Sequence, residues 1–207
     1  MPAGWLLRGS APQDYDLVSD RDLVYRGNAS ALLKSHDKDI SPYLFGSALQ
    51  VAAAEPFIGK RVHLSAYMRI LDDDRERSAV LWLRATDLNS ALLISETTSA
   101  RAPKLTEDWT RYDIVADMPW EATEIIYGVS LRGKGAVWID DVRIEAIDRA
   151  ALELTRGGPR LPMGVVVQAV RQGEPLANPT NLGFEEVVPA DAHWRDAPRE
   201  SVMGLLY

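Results

Sequence analysis

Cysteine is absent from all 207 residues, which excludes thiol nucleophiles, CxxC redox pairs, thiolate zinc and iron–sulfur clusters. Positive charge is in deficit: 23 Lys and Arg stand against 30 Asp and Glu, a formal charge of −7, with no long basic run. A phosphate backbone needs clustered cations, so a nucleic acid is not the expected partner. Long apolar runs are missing too. Each is broken within about ten residues, short of the roughly 20 that a spanning helix requires, and no membrane segment is expected. The opening MPAGWLLRGSAPQD has neither a cationic n-region nor a sustained apolar h-region, so the expectation is a cytoplasmic protein without a secretory signal. Helical periodicity is scarce. What remains is a chain that is 46% hydrophobic and long enough to bury its own core.

Period-two segments recur between turn residues, as half-buried strands do. In Arg61–Ile70, Val62, Leu64, Ala66, Met68 and Ile70 alternate with Arg61, His63, Ser65, Tyr67 and Arg69, one face core and the other polar with an aromatic. In Ser78–Thr86, Ala79, Leu81, Leu83 and Ala85 oppose Val80, Trp82 and Arg84, so Trp82 and Arg84 share the less apolar side. Further strands are predicted over 29–34, 47–53, 91–97, 111–117, 124–132 and 136–145. Asp72-Asp73-Asp74, Pro103, Met118-Pro119 and Gly133-Lys134-Gly135 separate them, the last read as a hairpin because glycine reaches positive φ cheaply. About eight strands in about 150 residues predict an all-β fold, a two-sheet sandwich.

After Ile147 the character changes. Residues 148–177 read as a connector: Asp148–Leu154 has two turns of helix-like pattern, stopped by Arg156-Gly157-Gly158-Pro159, and Val165–Val170 is its one strand-like run. Residues 178–207 hold too little apolar material to form a domain alone.

Motifs for catalysis are wanting. His36, His63 and His193 occur singly, without HExxH spacing, and Gly128 to Gly133 has one residue too many for a GxSxG elbow. Gly133-Lys134-Gly135 is no dinucleotide loop, because Trp138 stands at the sixth position. Asp72-Asp73-Asp74 is not an EF-hand: Arg77 and Leu83 occupy the positions that need Gly and Glu. A pair of glycosidase carboxylates needs no motif, so a hydrolase stays as the least favoured alternative.

Several landmarks occur in one order: Gly4-Trp5, GSALQ over 46–50, IGKRVHLS over 58–65, Trp82-Leu83-Arg84, DWTRY over 108–112 and GAVWIDDV over 135–142. Together, from about Trp5 to Glu145, they resemble the jelly-roll, carbohydrate-binding-module-like (galactose-binding-domain-like) β-sandwiches, above all a bacterial subgroup of accessory domains beside transcription regulators and hydrolases. The resemblance implies a two-sheet jelly-roll β-sandwich over 1–147 with a C-terminal extension. Such chains usually open with a strand close to Asn-Leu-x-Phe-Glu just before the Gly-Trp, and here NLGFE stands instead at 181–185. One reading is that the 178–207 segment supplies this strand, within the chain or to a second copy as a homodimer by strand exchange. The other is that NLGFE opens a second module.

The resemblance also implies a ligand class. Sandwiches of this type hold sugars on aromatic faces and planar polar side chains. Gln50, His63, Tyr67, Trp82 and Arg84 are the candidate ligand-binding residues, expected to line one concave face, because Gln50, Tyr67 and Arg84 would be costly to bury unpaired. Core packing of Trp82 is the alternative. Trp109 and Trp138 are expected to be structural; Trp5 and Trp120 are candidates for loop-tip platforms or, beside their Gly and Pro neighbours, for rings that cover a sheet edge. Related jelly rolls hold a structural calcium, and Asp140 and Glu185 match its ligand positions; a capped loop without metal is the competing reading, and no cofactor is otherwise required. The expected function is non-catalytic binding of a carbohydrate or similar polyhydroxylated molecule, with a ligand-free interaction or dimerisation module as the alternative.

Overall fold

The computed structural model describes residues 1–36, 40–70, 78–98, 106–147 and 182–186. The expected acidic turn at 72–74, the helix over 148–154 and the strand over 165–170 lie outside them. Among the described residues ten strands run in chain order: β1 (Leu6–Gly9), β2 (Tyr15–Asp20), β3 (Ser30–Ser35), β4 (Phe45–Ala53), β5 (Arg61–Ile70), β6 (Ser78–Thr86), β7 (Leu92–Thr97), β8 (Thr110–Asp117), β9 (Glu124–Arg132) and β10 (Ala136–Ile147). They form two five-stranded sheets, β1-β4-β9-β6-β7 (sheet 1) and β2-β3-β10-β5-β8 (sheet 2), with antiparallel pairing throughout. Only β2–β3 and β6–β7 are partners adjacent in sequence; every other connection passes from one sheet to the other. Gly133-Lys134-Gly135 is therefore not a hairpin between paired strands but a crossing from β9 in sheet 1 to β10 in sheet 2. Local turn chemistry looks the same in both cases, and only sheet membership distinguishes them.

Period-two patterning decides which faces meet. Val62, Leu64, Ala66 and Met68 of β5 are fully buried against Leu81, Leu83 and Ala85 of β6 and Ile125, Tyr127 and Val129 of β9 in one continuous core. Each large aliphatic side chain so buried contributes about 1.5–3 kcal/mol of transfer free energy. Tyr15 anchors one end of this core: its hydroxyl donates to Gly133 O at 2.8 Å, and burial pushes its pKa up to about 12. Gly46 leaves room for that ring, since a Cβ there would come within 2.5 Å of Tyr15 Cγ.

Residues 182–186 lie across the seam between the edge strands β1 and β2. Phe184 is fully buried in the same core, its ring 4.8 Å from that of Trp5. Ala3 N donates to Glu186 O at 2.8 Å and Ser19 Oγ to Phe184 O at 3.1 Å. Phe184 has φ of 59°, a conformation that an L-residue with a Cβ keeps only when its surroundings fix it. Trp5, open between a loop platform and a ring covering a sheet edge, is wholly buried between Phe184 and Tyr127, which rules out the platform. Among the described residues no helix is long and apolar enough to cross a membrane.

Candidate functional site

The five candidate ligand-binding residues do not share a face. β4 and β6 belong to sheet 1 and β5 to sheet 2, so His63 and Tyr67 project from the outer face opposite to that of Trp82 and Arg84. Gln50 points to neither exterior. It shares the parity of Ala48 and Ala52, is buried between the sheets, and its Oε1 accepts from the Tyr127 hydroxyl at 2.8 Å. An inward tyrosine hydroxyl needs an acceptor, and Gln50 supplies it.

Trp82 and Arg84 do lie together, on the outer face of sheet 1. Leu6, Leu49, Gly128, Trp82 and Thr97 form one row across all five strands. Gly128 is required there, because a Cβ would meet Ala48 O and approach Leu49 Cβ to 2.9 Å. Trp82 packs with Leu49 and Ile126, flanked by Leu6 and Val80, in a small cluster separate from the main core, and is only 7% exposed. The Arg84 guanidinium covers it, 5.4 Å from the ring centroid. Three polar groups here lack partners. Trp82 Nε1 and Thr86 Oγ1 are buried without a hydrogen bond. Half-buried Arg84 makes no hydrogen bond or ion pair among the described residues, and burial lowers its pKa. Glu124, in register with Thr86, is the sole carboxylate on this face of the described strands; Ser47 and Ser130 satisfy one another at 2.6 Å.

The outer face of sheet 2 is more extensively paired, although Arg69 Nε is also buried there without a hydrogen bond. His63 Nε2 lies 2.7 Å from Asp113 Oδ1, which Arg111 also contacts. Burial alone would raise the Asp113 pKa, but the His63 hydrogen bond and Arg111 hold it below the usual carboxylate range. Tyr67 stacks on Tyr25 at 3.7 Å, and its hydrogen bond to Tyr25, helped by burial, pushes the Tyr25 pKa up to about 12. Arg69 lies about 6 Å from the ring centroids of both Trp109 and Trp138, and Trp138 Nε1 donates to Asp20 at 2.7 Å. This aromatic group spans loop and strand, which is why periodicity alone did not assemble it. Trp120 stands 76% exposed in the β8–β9 loop, its ring packed over Gly59.

Asp140 and Glu185 converge on the β2–β3 loop but hold it through backbone donors. Asp140 Oδ2 accepts from Tyr25 N at 2.8 Å and Arg26 N at 2.9 Å, and Oδ1 from Asp141 N at 2.6 Å. Glu185 Oε1 accepts from Asn28 N at 2.8 Å and fills the space beside Gly27. Among the described residues no three acidic or histidine side chains converge on a common point. Calcium needs six or more oxygens, and in this loop the two carboxylates accept backbone N–H groups, the arrangement of the capped-loop reading. A β-bulge after Asp140, with Asp141 at φ of 44°, turns Asp141 toward Arg26 and Arg143. In a regular strand these neighbouring acids would face opposite ways.

No family model matches the sequence. A curated relative, the Bacillus subtilis (strain 168) protein named as uncharacterized HTH-type transcriptional regulator YbfP, is 33% identical over 184 residues, 88% of this chain and 57% of that protein. The chain thus spans little more than half the length of this relative. Among solved structures, the enzymatically active domain of tailspike protein 4 of bacteriophage CBA120 aligns with a TM-score of 0.54 at 12% identity, over 71% of this chain and 20% of that one. The C-terminal family 22 carbohydrate-binding module of Clostridium thermocellum Xyn10B aligns with a TM-score of 0.51 at 13% identity, over 72% of this chain and 88% of the module. At such identities the likeness concerns the fold alone, a jelly-roll β-sandwich, here of two antiparallel five-stranded sheets.

Proposed function

We propose that this chain is a non-catalytic binding module for a carbohydrate or a similar polyhydroxylated molecule, and that the outer face of sheet 1 around Trp82 and Arg84 is its site. One observation carries this reading: Trp82 Nε1, Thr86 Oγ1 and the Arg84 guanidinium stand without hydrogen-bond partners on a single face. An unsatisfied buried donor costs about 1–3 kcal/mol, and a ligand rich in hydroxyl and ring oxygens relieves that cost. The family 22 module named above adds support by its architecture and by the role of residues in its cleft in ligand binding. The likeness to a bacterial protein named as a transcriptional regulator favours a module serving a regulator over one serving a hydrolase.

A thermal-shift screen of the purified chain against neutral and acidic oligosaccharides tests the proposal. A ligand at about 100 times its Kd stabilises the folded state by about 2.7 kcal/mol, a readily measured rise in Tm. That rise should vanish in Trp82→Ala, whose lost side chain belongs to the small outer cluster and leaves the main core intact. Absence of any sugar-dependent rise would favour the second reading, an interaction module, for which exposed Trp120 is the candidate contact.

A further inference from the structure

Arginines on the two outer faces are treated differently. On sheet 2, Arg61 holds Asp117 through two bonds of 2.7 Å, Arg111 holds Asp113, and Arg143 holds Asp141, while Arg69, its Nε buried without a hydrogen bond, lies about 6 Å from two indoles. Among the described residues Arg84 of sheet 1 has neither a carboxylate nor a second ring, although it is half-buried and its charge is penalised by desolvation. A guanidinium so placed is ordinarily paired, because removing it from water without a counter-charge is unfavourable. The registers show a further bias. Arg8, Arg84 and Arg132 share the outer parity of the described sheet 1 strands with Glu124 alone among acids, in a chain whose net charge is −7.

The neighbouring unpartnered groups sharpen the ligand class. Trp82 Nε1 can only donate, the guanidinium can only donate, and the Thr86 hydroxyl donates as readily as it accepts. A neutral sugar hydroxyl would satisfy single donors but leave the Arg84 charge uncompensated. A carboxylate matches the planar fork of the guanidinium with two parallel hydrogen bonds. Resting on the carbohydrate reading above, we propose that this face selects carboxylated sugars, uronate-bearing oligosaccharides, with Arg84 as the partner of the carboxylate. In the ligand-free chain Arg84 lies over the indole. Drawn onto a carboxylate, it uncovers the Trp82 face and its Nε1–H for the sugar ring, so that one side chain both reads the charge and opens the stacking surface.

Isothermal titration of the full chain tests this with uronate trimers (galacturonate, mannuronate, guluronate and a glucuronate-bearing trimer), each set beside its carboxyl-reduced neutral counterpart and sodium acetate of equal carboxylate concentration. The expected result is that at least one uronate trimer binds about 10-fold or more tightly than its neutral counterpart, with acetate inert. Arg84→Gln should bring the two to within about 2-fold while keeping the wild-type Tm, and Arg84→Lys, which keeps charge without the fork, should recover only part of the preference. Equal binding of neutral and acidic trimers to the wild-type chain, or a preference that survives Arg84→Gln, would overturn the selectivity and leave the carbohydrate reading standing. Binding of acetate as strong as that of the trimers would reduce the site to an anion site and overturn it as well. No binding of any trimer would remove the carbohydrate reading together with the selectivity built on it.

Discussion

Asp140 shows how one residue fixes a loop. Its two oxygens accept three backbone N–H groups, so Asp140→Ala leaves those donors without their partner and should cost about 2–4 kcal/mol. Urea denaturation measures the loss, and faster amide exchange at Tyr25 and Arg26 would locate it. Asp113 gives a pH dependence. Its folded pKa lies below the unfolded value, so its contribution is fully present above about pH 4 and disappears as pH falls through the lower folded value. The stability difference between wild type and Asp113→Asn should therefore shrink on acidification below about pH 4. Because the carboxylate is partly exposed, the difference is at most about 1 kcal/mol at neutral pH. The sequence made the pairing of Trp82 with Arg84 legible, since parity within one strand is local. It left Gln50 misdirected, because the Tyr127 hydroxyl that pays for its burial stands on another strand.

At the scale of elements, alternation located eight strands to within a few residues, including the inward sets of β5 and β6. β1 and β2 were not legible. Leu6-Leu7-Arg8-Gly9 is too short to alternate, and in β2 the inward pair Tyr15 and Leu17 is followed by polar Ser19 while apolar Val18 stands among the outward Asp16 and Asp20, which blurs the period. Sheet membership was not legible either, and it is what separates His63 and Tyr67 from Trp82. Pairing joins residues far apart in the chain, such as Gln50 with Tyr127, and no local period encodes it. Leu182–Glu186 is the element whose role is most open to test. Phe184→Ala in the full chain removes a fully buried ring from between the edge strands and should cost about 3–5 kcal/mol. Guanidinium denaturation would show it, and a loss under about 1 kcal/mol would mean that this contact does not close the seam.

Taken whole, the molecule is a sandwich with unequal exteriors. Sheet 2 spends its charges internally, on Asp113 with His63 and Arg111, on Asp117 with Arg61, and on the loop held by Asp140. Sheet 1 leaves an arginine, an indole N–H and a hydroxyl unmatched over a small apolar cluster. Arg69 Nε of sheet 2 is also buried without a hydrogen bond, but it stands alone near two indoles; several unmatched polar groups together over an apolar cluster mark where binding energy remains to be gained. The most direct measurement is a two-dimensional ¹H–¹⁵N NMR titration of the labelled chain with the oligosaccharide that gives the largest thermal shift. The account predicts that the Trp82 indole N–H and the amides of β4, β6, β7 and β9 shift together and saturably, while those of β5 and β8 stay still. Shifts centred on Trp120, or on Tyr25, Tyr67 and Trp109, with the Trp82 indole unmoved, would contradict it.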